Sequence, residues 1–425
     1  MTYTEALSYI HTNFWQGSKP GLERTRTLLD LMGNPQKYLK FIHVAGTNGK
    51  GSFCAMLSSI LIEAGYKVGT YTSPYILRFN ERMKVCGKDI PDETLARLTE
   101  SIRPMADRME EKPTEFELIT AIAMAYFNEE NCDVVVLECG MGGRLDSTNI
   151  ISTSLLSVIT GISLDHTAFL GDSVEKIALE KAGIIKDGRP VLFCQDNKVA
   201  EDIIRFEAEK KNAPFLSLAK RKAEIEKTSL EGTVFHLGER KDLFLPLLGN
   251  YQVHNAENVL FAVDLLKEQG FVIPETSVFE GLKKVRWPAR YEIISKDPVI
   301  LYDGGHNPEG VDSAVESTKR YFSDNPPILV TGVMADKDYH YMASRMAEIA
   351  SFVYCITPEN PRALSGKVFA ETFRSLGVYA EESLSPEEAL TQAIKKAKDE
   401  NKAILCLGSL YMYGEIISAL EKVKK

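Results

Sequence analysis

The sequence is poor in the features that mark nucleic-acid-binding, membrane-spanning or disulfide-rich proteins. A formal net charge of −9 argues against a general nucleic-acid-binding protein, because counterion release needs a basic surface. No apolar run approaches the length of a membrane span, and the N-terminus lacks a basic segment followed by an apolar one, so a cytoplasmic protein is expected. The seven cysteines are odd in number and lack close paired spacing, and they indicate neither a disulfide framework nor a zinc site.

What is present indicates a globular α/β protein. The chain of 425 residues is long enough for two or three domains, and its 44% hydrophobic content is typical of globular proteins. Apolar β-rich runs alternate with helical patterns, which predicts a mostly parallel sheet covered by helices. The expected strands are 41–45, 67–72, 133–139, 154–161 and 189–194, and the expected helices between them are 53–64, 92–109, 115–129 and 173–184.

The alternation restarts near the middle of the chain, which predicts a second domain. A charged stretch at 216–245 favours short antiparallel strands, and a helix is expected at 254–269. Pro288 then interrupts any regular element, so we place the boundary near 291–297 and predict domains at 1–292 and 297–425. In the second domain the expected strands are 299–303, 328–333, 352–356 and 403–407, and the expected helices are 309–322, 339–350, 385–399 and 411–423.

The run from Phe41 to Ser52, F-I-H-V-A-G-T-N-G-K-G-S, predicts a phosphate-binding turn. A strand that enters a glycine-rich turn and then a helix leaves several backbone N–H groups aimed at one point. Lys50 adds a positive charge, and the Ser52 hydroxyl can bind the magnesium that accompanies a nucleoside triphosphate. The strict P-loop pattern is not met, because Val stands at position 44 and Gly51 separates the lysine from the serine. Phosphate binding alone does not identify the reaction that the protein catalyses.

Polar residues follow other strands of the same predicted sheet. Glu138 ends a buried strand, where it can reach a nucleotide-bound magnesium or act as a cap or ion-pair partner. Ser73 lies in a loop after a strand, where it can touch a metal or a phosphate. His166 follows another strand and is either a metal ligand or a surface residue. Lys181 stands late in a predicted helix, where its ordinary role is to complement the helix dipole.

Two loops also carry polar groups of interest. Residues 140–149 read G-M-G-G-R-L-D-S-T-N, a flexible polar loop that is not the G-x-G-x-x-G of a dinucleotide site. In the second domain Asp303 and His306 stand in a glycine-rich turn and can converge on one site, although an Asx turn would use the same residues. The turn at 408–411 has the small residues of an anion site.

Taken in chain order, the motifs are similar to those of the folylpolyglutamate synthase / dihydrofolate synthase family, within the Mur ligase superfamily. The resemblance extends from residue 2 to about 411. Two departures are mild: Gly305 stands where the family commonly has Ala, and Ala289 where relatives commonly have Gly. The matching motifs are Gly46–Ser52, Thr72–Pro74, Arg78–Arg82, Thr114–Glu117, Glu138–Asn149, Leu164–His166, Glu180–Ile185, Trp287–Arg290 and Asp303–Pro308.

The resemblance implies a P-loop ATPase domain with a mostly parallel sheet, a smaller Rossmann-like C-terminal α/β domain, and substrates bound in the cleft between them. It assigns ATP binding to Asn48, Gly49, Lys50, Gly51, Ser52, Asn255, Arg290 and Asp303. It assigns magnesium to Ser52, Ser73, Glu138, His166 and Lys181, the last as a carbamate. Substrate binding is assigned to Pro74, Arg82, Glu115, Phe116, Asp146, Ser147 and Ser409, and catalysis to Lys50, Lys181, Asp303 and His306.

The implied reaction is the ATP-dependent addition of L-glutamate to the γ-carboxylate of a reduced folate through an acyl phosphate, by a monomeric enzyme that needs Mg²⁺. An alternative is a bifunctional enzyme that also joins glutamate to dihydropteroate. A Mur-type ligase acting on a UDP-linked precursor is disfavoured, because the extra N-terminal domain of those enzymes is missing and the Thr114–Glu117 segment is present. A nucleotide-dependent switch or transporter ATPase would instead depend on a macromolecular partner.

Overall fold

The computed structural model describes residues 1–12, 20–165, 167–218 and 222–423, so the predicted metal ligand His166 lies outside the described residues. Packing divides the chain into two units. The first comprises Met1–Ala223 with Asn255–Val285, and the second comprises Glu224–His254 with Arg286–Lys425. Within the described part of the chain, no helix combines the length and apolar character needed to cross a membrane.

The first unit is built on an eight-stranded sheet, counted over the described residues. Its strands are β1 (Phe41–Ala45), β2 (Val68–Tyr71), β3 (Met83–Val85), β4 (Lys88–Asp89), β5 (Val134–Glu138), β6 (Leu156–Ile159), β7 (Val191–Phe193) and β8 (Phe215–Ser217). The order is β4-β3-β2-β5-β1-β6-β7-β8, and only the pairings made by β3 are antiparallel. The predicted mostly parallel sheet is therefore confirmed. Its central strands are buried apolar runs, as expected where helices cover both faces.

Helices of the first unit pack on the sheet. They are α1 (Tyr3–Thr12), α2 (Glu23–Leu31), α3 (Lys50–Glu63), α4 (Asp92–Arg108), α5 (Glu115–Glu129), α6 (Thr167–Leu170), α7 (Val174–Ala182) and α8 (Lys198–Lys210), with the greater part of α9 (Asn250–Glu268) and α10 (Glu275–Lys284). Val135 and Leu137 of β5 lie in the core that α4 and α5 share. Because successive side chains of a strand alternate, Glu138 projects from the opposite face, on which α3 packs.

The second unit contains an antiparallel sheet and a mostly parallel one. The antiparallel strands are β9 (Glu224–Ser229), β10 (Gly232–Leu237) and β11 (Arg240–Leu245). The larger sheet, in the order β12-β13-β17-β14-β15-β16, contains β12 (Glu292–Lys296), β13 (Val299–Asp303), β14 (Ile328–Thr331), β15 (Phe352–Cys355), β16 (Ala380–Glu382) and β17 (Ile404–Leu407). The helices are α11 (Pro308–Phe322), α12 (Tyr339–Ala347), α13 (Gly366–Ser375), α14 (Pro386–Glu400) and α15 (Met412–Val423). This is the separate C-terminal α/β domain that the sequence predicts.

The division by packing differs from the predicted boundary, which places everything up to 292 in one domain. Residues 224–254 group with the second unit. Arg320 of α11 donates to the Thr228 hydroxyl at 2.8 Å, and the Ser317 hydroxyl accepts from the Asn250 N–H at 3.2 Å. Packing thus divides the chain at three points, whereas chain order alone predicts one.

Candidate active site

The glycine-rich turn after β1 has the backbone of an anion site. Gly46 and Gly49 have φ values of 155° and 86°, which a side chain would strain. Gly49 is the residue before α3, and the helix begins at Lys50 rather than at the predicted residue 53. Because the residue before the helix is a glycine, it has no side chain with which to cap this helix start. The N–H groups of a first turn have no partner within their helix, so this turn can accept a phosphate, as predicted.

Neighbouring groups hold the turn in shape. The Thr160 hydroxyl donates to the Asn48 carbonyl at 2.7 Å, and the Thr47 N–H donates to the Gly161 carbonyl at 2.8 Å. The Lys50 ammonium donates to the carbonyls of Gly46 at 3.0 Å and Thr47 at 3.1 Å. The Lys50 side chain is therefore hydrogen-bonded to the backbone of the turn.

Asn255 of α9 lies beside the same turn, within the first unit. A Cβ built on Gly49 would come 2.9 Å from the Asn255 Oδ1 atom, and the Asn255 side chain is buried. The structure therefore brings together two residues that are far apart in sequence and that were both predicted to bind ATP.

Oxygen ligands collect next to the turn. Glu138 pairs with Val44 at the end of β1 and is only 4% exposed. Its carboxylate accepts the Ser73 N–H at 3.2 Å, and Arg82 donates to the Ser73 hydroxyl at 3.0 Å. Ser52 is buried in the first turn of α3. Hydroxyl and carboxylate oxygens are hard ligands, so this set fits a magnesium ion.

Lys181 is buried rather than solvated at the end of its helix. Its exposure is 2%, and the loop residue Gly143 packs on it, where a Cβ would lie 3.0 Å from the Lys181 Cα. Burial, and then the positive charge of Lys50, lower the pKa of Lys181 from 10.5 to about 7. A large fraction of the amine is therefore neutral near neutral pH, which is the nucleophilic form.

The loop 140–149 is held by internal hydrogen bonds, which corrects the prediction of a flexible loop. The Asp146 carboxylate accepts the Met141 N–H at 2.9 Å, the Thr148 N–H at 3.0 Å and the Thr148 hydroxyl at 2.5 Å. Its oxygens thus hold the loop, and the adjacent Ser147 is buried. Burial raises the pKa of Asp146, while its hydrogen bonds oppose the rise.

The start of α5 lies against this loop. A Cβ on Gly140 would come 2.5 Å from the Phe116 ring. Thr114 and Glu117 form a capping box, in which the Thr114 hydroxyl accepts from the Glu117 N–H and the Glu117 carboxylate accepts from the Thr114 N–H. Arg24 binds the Glu117 carboxylate through two hydrogen bonds of 2.9 and 2.8 Å.

The remaining predicted substrate residues of this unit have simpler surroundings. The Glu115 carboxylate lies 3.2 Å from the His11 ring. Pro74 follows Ser73, and the rings of Tyr75 and Phe79 flank the Arg82 guanidinium at 5.1 and 5.6 Å.

In the second unit, Asp303 is the centre of a hydrogen-bond cluster at the end of β13. Its buried carboxylate accepts the Tyr251 hydroxyl at 2.8 Å, the Tyr291 N–H at 2.9 Å and the Gly305 N–H at 2.7 Å. Burial raises the pKa of Asp303, and the charge of Arg290 opposes this. Asp303 therefore fixes the turn that carries the other polar groups.

His306 and Ser409 stand on neighbouring turns of this sheet. The His306 Nδ1 atom lies 2.9 Å from the Gly304 carbonyl, which can only accept, so Nδ1 carries the proton in the neutral ring. Ser409 follows β17, which pairs with β13 and places Leu407 beside Asp303. The carboxyl ends of parallel strands meet at one sheet edge, where α/β proteins bind ligands.

Comparison with known proteins identifies the family. The chain matches the Mur ligase middle domain over residues 44–266 and the Mur ligase, glutamate ligase domain over residues 289–410. It is 38% identical to the dihydrofolate synthase/folylpolyglutamate synthase of Bacillus subtilis, over 99% of both chains. It is 36% identical to the folylpolyglutamate synthase of Lacticaseibacillus casei, again over 99% of both.

The chain belongs to the folylpolyglutamate synthase / dihydrofolate synthase family of Mur ligases. Among solved structures, a folylpolyglutamate synthase complex with AMPPCP and folate is 33% identical, with a TM-score of 0.84 over 100% of this chain and 99% of that one. The protein is thus an ATP-dependent ligase, and the resemblance and fold class predicted from the sequence are confirmed.

The sequence patterns did not predict three residues that support the candidate site. Thr160 follows β6, so the rule that polar residues at strand ends line a site would have found it. Tyr251 stands four positions before Asn255 on α9, and Arg24 lies 93 residues from Glu117; no local signal links either to its partner.

Proposed function

We propose that this ligase joins L-glutamate to the γ-carboxylate of a reduced folate, with an acyl phosphate as the intermediate. The observation that carries the proposal is the likeness, over the whole chain, to a folylpolyglutamate synthase bound to an ATP analogue and folate. A carboxylate is a poor acylating agent, so one of its oxygens must first be converted into a better leaving group by phosphorylation.

The first step is phosphoryl transfer. A carboxylate oxygen of the folate attacks the γ-phosphorus of ATP, and the bond to the β-phosphate oxygen breaks to release ADP. The N–H groups at the start of α3 and the Lys50 ammonium stabilise the charge on the phosphate oxygens. Asn48, Gly51, Asn255 and Arg290 would complete the nucleotide site.

Ser52, Ser73 and Glu138 would hold magnesium in this site, together with His166 and Lys181. Magnesium, when bound, would neutralise phosphate charge. Lys181 would contribute as a carbamate: its neutral amine adds to CO₂ and releases a proton, so the neutral amine becomes an anion. The lowered pKa of about 7 supports this chemistry, because it supplies neutral amine near neutral pH.

The second step is amide formation. The glutamate ammonium loses a proton, its nitrogen attacks the acyl carbon, and phosphate leaves from the tetrahedral intermediate. We assign proton removal to His306, because Nδ1–H donates to the Gly304 carbonyl and the basic lone pair therefore lies on Nε2. Asp303 would not be the base, because its carboxylate accepts three hydrogen bonds and would hold the turn in place. Ser409 would bind the incoming glutamate.

The acceptor would bind against Phe116 and the loop 140–149, with Pro74 and Arg82 on the adjacent loop. An aromatic ring beside a hydrogen-bonded loop suits the flat, polar pterin ring. Dihydropteroate also carries a pterin ring, so activity on dihydropteroate is the second candidate, favoured by the bifunctional Bacillus subtilis relative.

Release of ADP, measured with each substrate omitted in turn, tests the proposal. We expect turnover only with ATP, Mg²⁺, L-glutamate and tetrahydrofolate together, and a folate product that carries one more glutamate by mass spectrometry. Replacement of tetrahydrofolate by dihydropteroate tests the second activity. Turnover without folate and glutamate, or only with a UDP-linked precursor, would contradict the proposal. Cytoplasmic localisation and a monomeric state stay predictions, and light scattering would test the latter.

A further inference from the structure

A buried histidine in β1 is joined by hydrogen bonds to the loop 140–149. His43 is 0% exposed on a strand whose other residues are apolar. Its Nε2 atom lies 2.9 Å from the Thr148 Oγ1 atom and 3.1 Å from the Cys139 Sγ atom. Burial of an imidazole costs free energy that an aliphatic side chain would avoid. The packing of β1 therefore does not explain why a polar ring occupies this position.

The direction of these hydrogen bonds follows from the protons available. Thr148 has a single hydroxyl proton, and its Oγ1 atom lies 2.5 Å from Asp146 Oδ1. An ionised carboxylate only accepts, so Thr148 donates to Asp146, and the Thr148 oxygen accepts from His43. The proton of the His43 ring is therefore on Nε2. The other ring nitrogen, Nδ1, is buried and has no hydrogen-bond partner among the described residues.

A neutral ring is consistent with this direction. Burial, and then the positive charge of Lys186, hold the pKa of His43 well below its ordinary value. The chain of bonds runs one way, from His43 through Thr148 to Asp146, and hydrogen bonds in such a chain strengthen one another.

We propose that His43 is a positioning residue, which acts through Thr148 to fix the Asp146 carboxylate and hence the loop 140–149 that forms one wall of the acceptor site. The inference rests on the acceptor role proposed above for this loop. His43 itself would not touch the folate.

Three contacts explain why the hydrogen bond from His43 affects the position of the whole loop. At its start, Gly140 packs on the Phe116 ring, and the Met141 N–H is bound by Asp146. Further along, the Arg144 N–H donates to the Glu180 carbonyl on α7 at 2.8 Å. Asp146 lies beyond these contacts in sequence and joins the start of the loop, through Thr148, to His43 on the central strand β1. Without His43 the loop keeps the contacts at Gly140 and Arg144 but loses the hydrogen bond that joins Thr148 to β1.

Steady-state kinetics of matched variants test the inference. His43→Leu fills a similar volume without a donor, and we expect the KM for the folate acceptor to rise roughly tenfold, as for the loss of one buried hydrogen bond, with kcat and the KM for ATP near wild type. His43→Gln places an amide N–H near the position of Nε2 and should restore the KM. Thr148→Val also removes the bond to Asp146, so it should raise the KM at least as much, and the double variant should be no worse than Thr148→Val alone.

Thr99→Val provides the control, because Thr99 is equally buried on α4 and its hydroxyl donates to the Leu95 carbonyl of its own helix. A wild-type acceptor KM in His43→Leu, or a His43→Gln variant as impaired as His43→Leu, would overturn the inference. Thermal unfolding of each variant separates a displaced loop from a general loss of stability.

The position of the proton on the His43 ring can be measured independently of activity. In ¹⁵N spectra of the imidazole rings, assigned by loss of the signal in His43→Gln, we expect His43 protonated on Nε2 and not on Nδ1. A proton on Nδ1 would overturn the hydrogen-bond chain. Absence of folate-dependent turnover in the wild type would instead overturn the proposed function, so the two failures are distinguishable.

Discussion

The Thr160 hydroxyl lies so close to Gly46 that a Cβ built on Gly46 would come within 1.9 Å of Thr160 Oγ1. The same hydroxyl donates to the Asn48 carbonyl two residues further along the turn. The end of β6 therefore supports the phosphate-binding turn directly and leaves no space for a side chain at its first residue.

Gly46→Ala should weaken nucleotide binding. The added methyl meets Thr160, and the φ of 155° is unfavourable for alanine, so the turn must move. We expect the Kd for ATP or AMPPCP to rise at least about tenfold by titration calorimetry, and unfolding to become easier by roughly 1–3 kcal/mol. Gly21→Ala is the control, because a Cβ added to Gly21 would come within 4 Å of no other group among the described residues. An unchanged Kd in Gly46→Ala would contradict this account of the turn.

Lys181 should carry a carbamate in the active enzyme. With ¹³C-bicarbonate, we expect a carbamate signal in the NMR spectrum of the wild type that is missing in Lys181→Met. The same variant should lose roughly a hundredfold or more in kcat, since a charged group that stabilises the transition state is removed. Lys40→Met, which changes an exposed lysine, should keep both the signal and the activity. Full activity of the wild type in buffer freed of CO₂ would count against the carbamate.

The half-buried Lys186 should make stability depend on alkaline pH. Burial, and then the charge of Lys211, lower the pKa of Lys186 from 10.5 to about 8. Between these values the unfolded chain binds more protons than the folded one, so the free energy of unfolding should rise with pH, by at most about 3 kcal/mol. Denaturant unfolding of Lys186→Met should lack this part of the rise, and Lys40→Met should retain it. Equal slopes for wild type and Lys186→Met would refute the assigned pKa.

His306→Ala should slow amide formation more than phosphoryl transfer. Loss of the base should lower kcat with glutamate by roughly a hundredfold or more. Hydroxylamine is largely unprotonated at neutral pH and does not need the base, so it should still trap the acyl phosphate as a hydroxamate at a near-normal rate. A variant that keeps full turnover with glutamate, or loses hydroxamate formation equally, would exclude His306 as the base.

Local signals allowed the strand, turn and helix of the candidate phosphate site to be predicted. The strand, glycine turn and helix of Phe41–Ser52 follow one another in sequence, so residue type and periodicity were sufficient to identify them. The helix start was misplaced because Gly49 takes a positive φ, which the pattern does not show. The helix α13 was not predicted, because it begins at Gly366 and is stabilised by the buried rings of Phe369 and Phe373.

Contacts between distant segments could not be predicted. Thr160 lies 112 residues from Asn48, and neither sequence segment contains a feature that predicts their hydrogen bond. Lys181 has the sequence context of a solvated helix end, yet it is 2% exposed and the distant loop at Gly143 packs on its backbone. The strands β9–β11 were assigned to the first domain by chain order, whereas packing groups them with the second unit, where Arg320 donates to Thr228 of β9.

The most direct test of the central claim is the fate of the folate carboxylate oxygens. With tetrahydrofolate labelled with ¹⁸O in its γ-carboxylate, ATP and L-glutamate, an acyl phosphate must transfer one labelled oxygen to each phosphate released. We predict phosphate with one ¹⁸O atom and glutamylated folate with the other. Phosphate without ¹⁸O, at full product yield, would contradict the mechanism, and failure to form the glutamylated product would contradict the proposed function itself.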